Sequence, residues 1–161
     1  MTEHTIAPRR RSALFGLALV VTLAACGNGP APSPPPNAVE PPAELRDGDR
    51  VLRASLVPAG VVGAAMARTY GIDREAAGMV LVISLRAGPD EASLPARVEA
   101  RASDLLGRGQ PIALREVRSD GYIDYVGTLR VKPPETLSFD INVEAAGAAP
   151  MTLRFSRDIL P

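Results

Sequence analysis

The 161-residue chain has a single cysteine (Cys26), a single histidine (His4), a single lysine (Lys132) and no tryptophan, and only 4% of its residues are aromatic. These scarcities exclude whole reaction classes. Beyond Cys26 there is neither a thiol nor an imidazole, so a Cys-His or Ser-His-Asp nucleophilic site, a histidine general base and a thiolate or imidazole zinc site are all ruled out there. Paired carboxylates, or a Ser-Lys dyad built on Lys132, are compatible with the counts, but no motif supports either. The chain is therefore read as not an enzyme, and no cofactor is implied.

Charge of one sign is also lacking, with 18 basic residues balancing 18 acidic ones. Removing residues 1–25 takes away Arg9, Arg10, Arg11 and Glu3 and leaves 15 basic against 17 acidic residues, scattered along the sequence. Such a surface has no field that would draw nucleic acid and no polybasic membrane patch. A long apolar run is missing too: the stretch before Cys26 is too short for a transmembrane helix.

What that stretch does contain is a cationic start, Arg9-Arg10-Arg11, an apolar segment from Ala13 onward, and Leu23-Ala24-Ala25-Cys26 at its end. This resembles a bacterial lipoprotein signal, with cleavage before Cys26 and lipid on its sulfur. Residues 1–25 are read as the signal peptide, and the membrane is the first expected partner, through the lipid on Cys26. Gly27 rather than aspartate follows the cysteine. Resemblance to the proteobacterial sorting pattern then places the protein at the outer membrane of the bacterial envelope, facing the periplasm.

Residues 26–43 are proline-rich, with Pro30, Pro32, Pro34, Pro35, Pro36, Pro41 and Pro42, and are read as a tether. Polyproline II geometry rises about 3.1 Å per residue, so roughly 15 residues hold a domain up to about 45 Å from its anchor. Residues 44–161 have the size of one domain.

Within it, apolar and polar residues alternate with period two, the pattern of strands with one buried face. Leu137, Phe139, Ile141 and Val143 oppose Ser138, Asp140, Asn142 and Glu144. Similar alternation predicts strands over residues 96–102 and 151–156, with another at 51–56. A Ser119-Asp120-Gly121 turn predicts a hairpin between residues 112–118 and 122–131. Residues 79–85 are apolar on both sides of the alternation, which predicts a central strand covered on both faces. Between residues 58 and 70 the apolar spacing turns helical and Gly71 follows as a stop. The expected fold is all-β: an antiparallel sandwich of immunoglobulin-like size with about seven strands and one short helix.

Several runs carry a family resemblance: Met66-Ala-Arg-Thr-Tyr-Gly-Ile72, Gly78-Met-Val-Leu-Val-Ile-Ser-Leu85, Ala102-Ser-Asp-Leu-Leu-Gly107, Tyr122-Ile-Asp-Tyr-Val126, Glu135-Thr-Leu-Ser-Phe-Asp-Ile141 and Met151-Thr-Leu-Arg-Phe155. They resemble a bacterial envelope family of short, exported, single-domain proteins known as a domain of unknown function, DUF4426. The resemblance spans about residues 49–159 and implies a fold without implying an activity.

Candidate site residues fall into two groups. Tyr70, with Asp73 and Arg74 just after the helix stop, offers an aromatic face and a guanidinium fork for a carboxylate or phosphate; the competing reading makes this segment a helix cap and solvated turn. Asp120, Asp124 and Asp140 are the carboxylates best placed for calcium if adjacent strands bring them together, although their spacing matches no loop motif and solvated surface is the simpler reading. The glycine-bearing run Gly107-Arg108-Gly109-Gln110 lacks a phosphate-loop pattern and reads as a turn between strands. Together these features predict a lipid-anchored, non-catalytic envelope protein that binds another envelope protein or assists assembly, with a small-ligand or calcium-binding module as the alternative and a carboxylate-dependent envelope hydrolase behind it.

Overall fold

The computed structural model describes residues 40–76 and 78–161; the expected signal peptide, Cys26 and most of the expected tether lie outside the described residues. Ten strands form two antiparallel sheets: β1 (Ala43–Asp47), β2 (Arg50–Pro58), β3 (Met79–Ala87), β4 (Ala92–Ser93), β5 (Ala96–Ser103), β6 (Gly109–Ile112), β7 (Leu114–Ser119), β8 (Tyr122–Leu129), β9 (Glu135–Ala145) and β10 (Met151–Ile159). The first sheet has the order β1-β2-β3-β8-β7, with β4 pairing the end of β3, and the second has β10-β9-β5-β6. The all-β sandwich expected from the alternation is what forms, with ten strands rather than seven. The additions are β1, β4 and β6; the run at Gly109-Gln110 is the start of β6 rather than part of a turn.

The main core lies between the sheets. Leu52, Leu81, Ile83, Leu85, Phe139, Ile141 and Val143 are almost wholly excluded from solvent there, and the ring of Phe155 stacks on Phe139 with centroids 4.9 Å apart. A second, smaller core sits on the outer face of the first sheet, where Val80, Val117 and Val126 meet Ala59, Val62, Ala67 and Ile72. Its cover is a 3-10 turn (Ala59–Val61) followed by α1 (Ala64–Tyr70). This explains why β3 reads as apolar on both faces: Leu81, Ile83 and Leu85 point between the sheets while Val80 and Val82 point under the helix.

The helix ends as the glycine predicted. Gly71 adopts φ 51°, ψ 43°, a left-handed conformation that costs an L-residue side chain but not glycine. Its N–H donates to the Arg68 carbonyl at 3.2 Å and the Ile72 N–H to the Ala67 carbonyl at 2.8 Å, the paired bonds of a Schellman stop in which Ile72 and Ala67 also pack together.

The chain passes between the sheets three times, after β4, β6 and β8, and the passage after β6 is a single residue. β6 pairs with β5 in the second sheet and, after Ala113, β7 pairs with β8 in the first. Gly127 on β8 faces that crossing: a Cβ there would lie 2.6 Å from Ile112 Cγ2 and 3.0 Å from the Ala113 carbonyl oxygen. Only a residue without a side chain lets the crossing strand come that close.

Candidate functional site

Alternation along β3 and β8 places Arg86 and Asp124 on the outer face of the first sheet, beside the helix rather than under it. Arg86 Nη2 donates to Asp124 Oδ1 at 2.8 Å, and Tyr70 Oη, on the last residue of α1, donates to Asp124 Oδ2 at 2.6 Å. The other guanidinium nitrogen, Nη1, donates to Ser93 Oγ and to the Ile123 carbonyl at 3.3 Å, while Ser93 Oγ accepts the Ile123 N–H at 3.0 Å. The exposed ring of Tyr122 lies against Arg86, 4.9 Å from guanidinium carbon to ring centroid. The Arg86 and Asp124 side chains are only 11% and 14% exposed, so this ion pair is screened far less than a surface one.

Burial and the neighbouring carboxylate together push the Tyr70 hydroxyl up to about 12, burial being the larger cause. The phenol therefore stays protonated and donating across physiological pH. Each carboxylate oxygen of Asp124 accepts one of the cluster's hydrogen bonds. The cluster ties the C-terminus of α1 to the sheet, and through Ser93 it also holds the β3–β4 hairpin.

Farther along the same face, Arg53 donates from Nε to Glu44 at 2.7 Å and from both terminal nitrogens to Glu91 at 2.7 Å. The bonds from Arg53 hold Glu44 and Glu91 below the ordinary carboxylate range. The outer face of the second sheet is an open polar ladder. Register aligns Ser103, Ser138 and Ser156 in one row and Arg101, Asp140 and Arg154 in the next, and Arg154 Nε donates to Asp140 Oδ2 at 2.7 Å. The small serines leave a shallow depression beside Asp140 and Arg154.

The residues singled out from sequence separate in the fold. Tyr70 and Asp124 meet, 54 positions apart in sequence, whereas Asp73 and Arg74 do not join them. Asp73 Oδ1 accepts the Glu75 N–H at 3.0 Å, and Arg74 Nη2 donates to the Gly60 carbonyl at 3.2 Å. The calcium grouping is corrected by topology: Asp124 on β8 belongs to the first sheet, Asp140 on β9 to the second, and Asp120 to the turn before β8. Asp124 and Asp140 are each committed to an arginine, and no group of three or more metal-ligating side chains occurs among the described residues. Asp124 is also not the solvated strand residue that alternation made it. Arg86 and Ser93 were not picked out from sequence; the signal available was an arginine directly continuing the doubly apolar run of β3.

The comparisons with known proteins agree with this architecture. A crystal structure of a DUF4426 family protein from Pseudomonas aeruginosa PAO1 superposes with a TM-score of 0.65 at 27% identity, over 74% of this chain and 95% of that one. Two structures of FetP from uropathogenic Escherichia coli strain F11 share the fold more distantly. A copper-bound variant gives a TM-score of 0.52 at 12% identity over 73% of this chain, and the protein as isolated after expression in the periplasm gives 0.53 at 9% over 74%; each is covered to 95%. No curated protein sequence matches significantly. The model of the family described as Domain of unknown function (DUF4426) matches residues 46–161, nearly the whole sandwich, and the chain belongs to that family.

Proposed function

We propose that this protein is a lipid-anchored, non-catalytic envelope module, held at the outer membrane through Cys26, that faces the periplasm and binds another envelope protein along the free edge of its first sheet. The observation that carries the reading is β7. This six-residue strand ends the first sheet with no strand beyond it among the described residues, and an unpaired edge is a template for an added strand from a partner. Arg115, Glu116 and Arg118 stand exposed along it and give such a partner strand charges to match. The distant likeness to FetP, one of whose structures comes from protein expressed in the periplasm, is compatible with a periplasmic setting.

The copper named for the other FetP structure does not suit this chain: the described residues hold no histidine or cysteine and no acidic cluster that would replace them. The non-catalytic reading rests on the committed state of Asp124 and Asp140 and on the absence of imidazole and thiol past Cys26.

The test is cross-linking in living cells followed by mass spectrometry of the captured material, comparing the native chain with an Arg115→Glu, Arg118→Glu double variant. One dominant envelope protein is expected with the native chain, and its recovery falls about tenfold in the variant, equivalent to roughly 1.4 kcal/mol. Capture undiminished by the charge reversal, or no specific capture, contradicts the edge as the binding surface.

A further inference from the structure

One end of the sandwich is unlike the other. At it β2, β5, β8 and β10 finish and β3, β6 and β9 begin, as the strand registers require. Four of the six exposed large apolar side chains among the described residues lie at this end: Val61 in the 3-10 turn, Leu105 and Leu106 in the β5–β6 loop, and Leu160 just after β10. Single exposed leucines are ordinary on a soluble protein, but a cluster on one end marks a contact surface.

The β5–β6 loop is built to present its leucines. Asp104 Oδ1 accepts the N–H groups of Leu106 and Arg108, each at 2.9 Å, and Asp104 Oδ2 accepts Arg108 Nε at 2.6 Å. The Gly107 N–H donates to the Asp104 carbonyl at 3.0 Å. Those bonds fix the backbone while Leu105 and Leu106 each remain 78% exposed. A loop ordered in this way gives up little entropy when its leucines are buried against something else.

Two further observations say what covers it. The chain enters the sandwich from this end: β1 runs away from it, with Ala43 opposite Ala54 and Asp47 opposite Arg50, and residues 40 and 41 are clamped there by Arg157, which pairs with Glu40 at 2.6 Å and donates to the Pro41 carbonyl at 2.9 Å. Charge is divided as well. The connections and entering segment at the leucine end carry Arg68, Arg74, Arg108, Arg130 and Lys132 against Glu40, Asp73, Glu75 and Asp104, whereas the connections at the opposite end carry Asp49, Asp90, Glu91 and Asp120 and no basic residue. An anionic bilayer repels the second end and accepts the first.

We infer that the leucine end docks on the lipid surface of the membrane that holds the anchor, with Leu105 and Leu106 entering the headgroup region and the acidic end directed away. This rests on the anchored reading proposed above. Interfacial binding of this kind scales with the apolar area buried, and about tenfold in partitioning is expected per leucine.

The absence of native tryptophan makes the test direct. Leu106→Trp, and separately Asp90→Trp at the opposite end, are introduced into the acylated chain and into its Cys26→Ser counterpart. Each is mixed with vesicles of phosphatidylethanolamine containing about one quarter phosphatidylglycerol, with brominated acyl chains as quenchers. The docked orientation predicts that the indole introduced by Leu106→Trp is quenched and shifted to the blue, and the one introduced by Asp90→Trp is not. It also predicts that Leu105→Ser with Leu106→Ser lowers vesicle binding of the Cys26→Ser chain by at least tenfold, with melting unchanged. Equal quenching at both ends, or none at position 106, overturns the inference. A chain that carries no lipid refutes the anchor instead, and the Cys26→Ser vesicle arm then still decides whether the leucine end meets the bilayer.

Discussion

Replacing Arg86 by methionine is the sharpest probe of the outer-face cluster, because it removes one charge from a pair whose side chains are 11% and 14% exposed and keeps most of the aliphatic volume. Asp124 would retain only the Tyr70 hydroxyl at 2.6 Å, and Ser93 and the Ile123 carbonyl would lose their shared donor. Breaking one half of a buried ion pair costs about 3–5 kcal/mol, whereas exposed pairs contribute about 0–1 kcal/mol. The partial exposure here puts the expected loss at the lower limit, about 3 kcal/mol, which corresponds to a fall in Tm of about 12 °C for a domain of this size. The asymmetry is more diagnostic than the size. Converting both partners, Arg86→Met with Asp124→Leu, leaves no uncompensated charge, so the double variant should be at least about 1.5 kcal/mol more stable than the sum of the two single losses. Urea unfolding followed by circular dichroism, run on all four proteins at pH 7, gives the cycle. A single-variant loss below about 1 kcal/mol, or strict additivity, would show that the pair is effectively solvated and that the cluster does not hold the helix to the sheet.

Three other outcomes follow from the same structure. Tyr70 is raised from 10.0 to about 12 in the folded state, so its contribution is fully present below pH 10 and is lost as pH rises toward 12; discounted for partial exposure it amounts to about 1–2 kcal/mol. Alkaline titration of stability should therefore fall less steeply in Tyr70→Phe than in the native protein, and equal slopes would contradict the assignment. Gly127→Val should cost about 3 kcal/mol or more in chemical denaturation, because the added atoms meet Ile112 and the Ala113 carbonyl at the crossing between sheets. Phe139→Ala should cost about 3–5 kcal/mol by the same assay, since the ring is only 2% exposed and stacked on Phe155.

The strands that were legible in the sequence are those with one dry and one wet face. β9 is the clearest, its inward Leu137, Phe139, Ile141 and Val143 standing where period two put them. The missed strands have physical reasons. β4 is two residues long, β1 is short and mostly polar, and β6 contains Gly109 and Pro111, residues that read as turn signals yet are tolerated on an edge strand. The site was harder. Alternation correctly turned Asp124 outward, but outward on the first sheet means beside a helix, and nothing local tells an aspartate that Arg86 and Tyr70, 38 and 54 positions away, will meet it. The polarity of the sandwich ends was equally hidden, because Val61, Leu105, Leu106 and Leu160 are scattered in sequence and share one end only through strand register.

The proposed anchoring through Cys26 underlies both the envelope role and the docking of the leucine end, and metabolic labelling with radioactive palmitate tests it most directly. Cells expressing the native chain and Cys26→Ser are labelled in parallel and their membranes separated on a density gradient. The account predicts labelled protein, shortened by residues 1–25, in the outer-membrane fraction for the native chain and no label for Cys26→Ser. An unlabelled native chain, released as soluble protein or retaining residues 1–25, would contradict it.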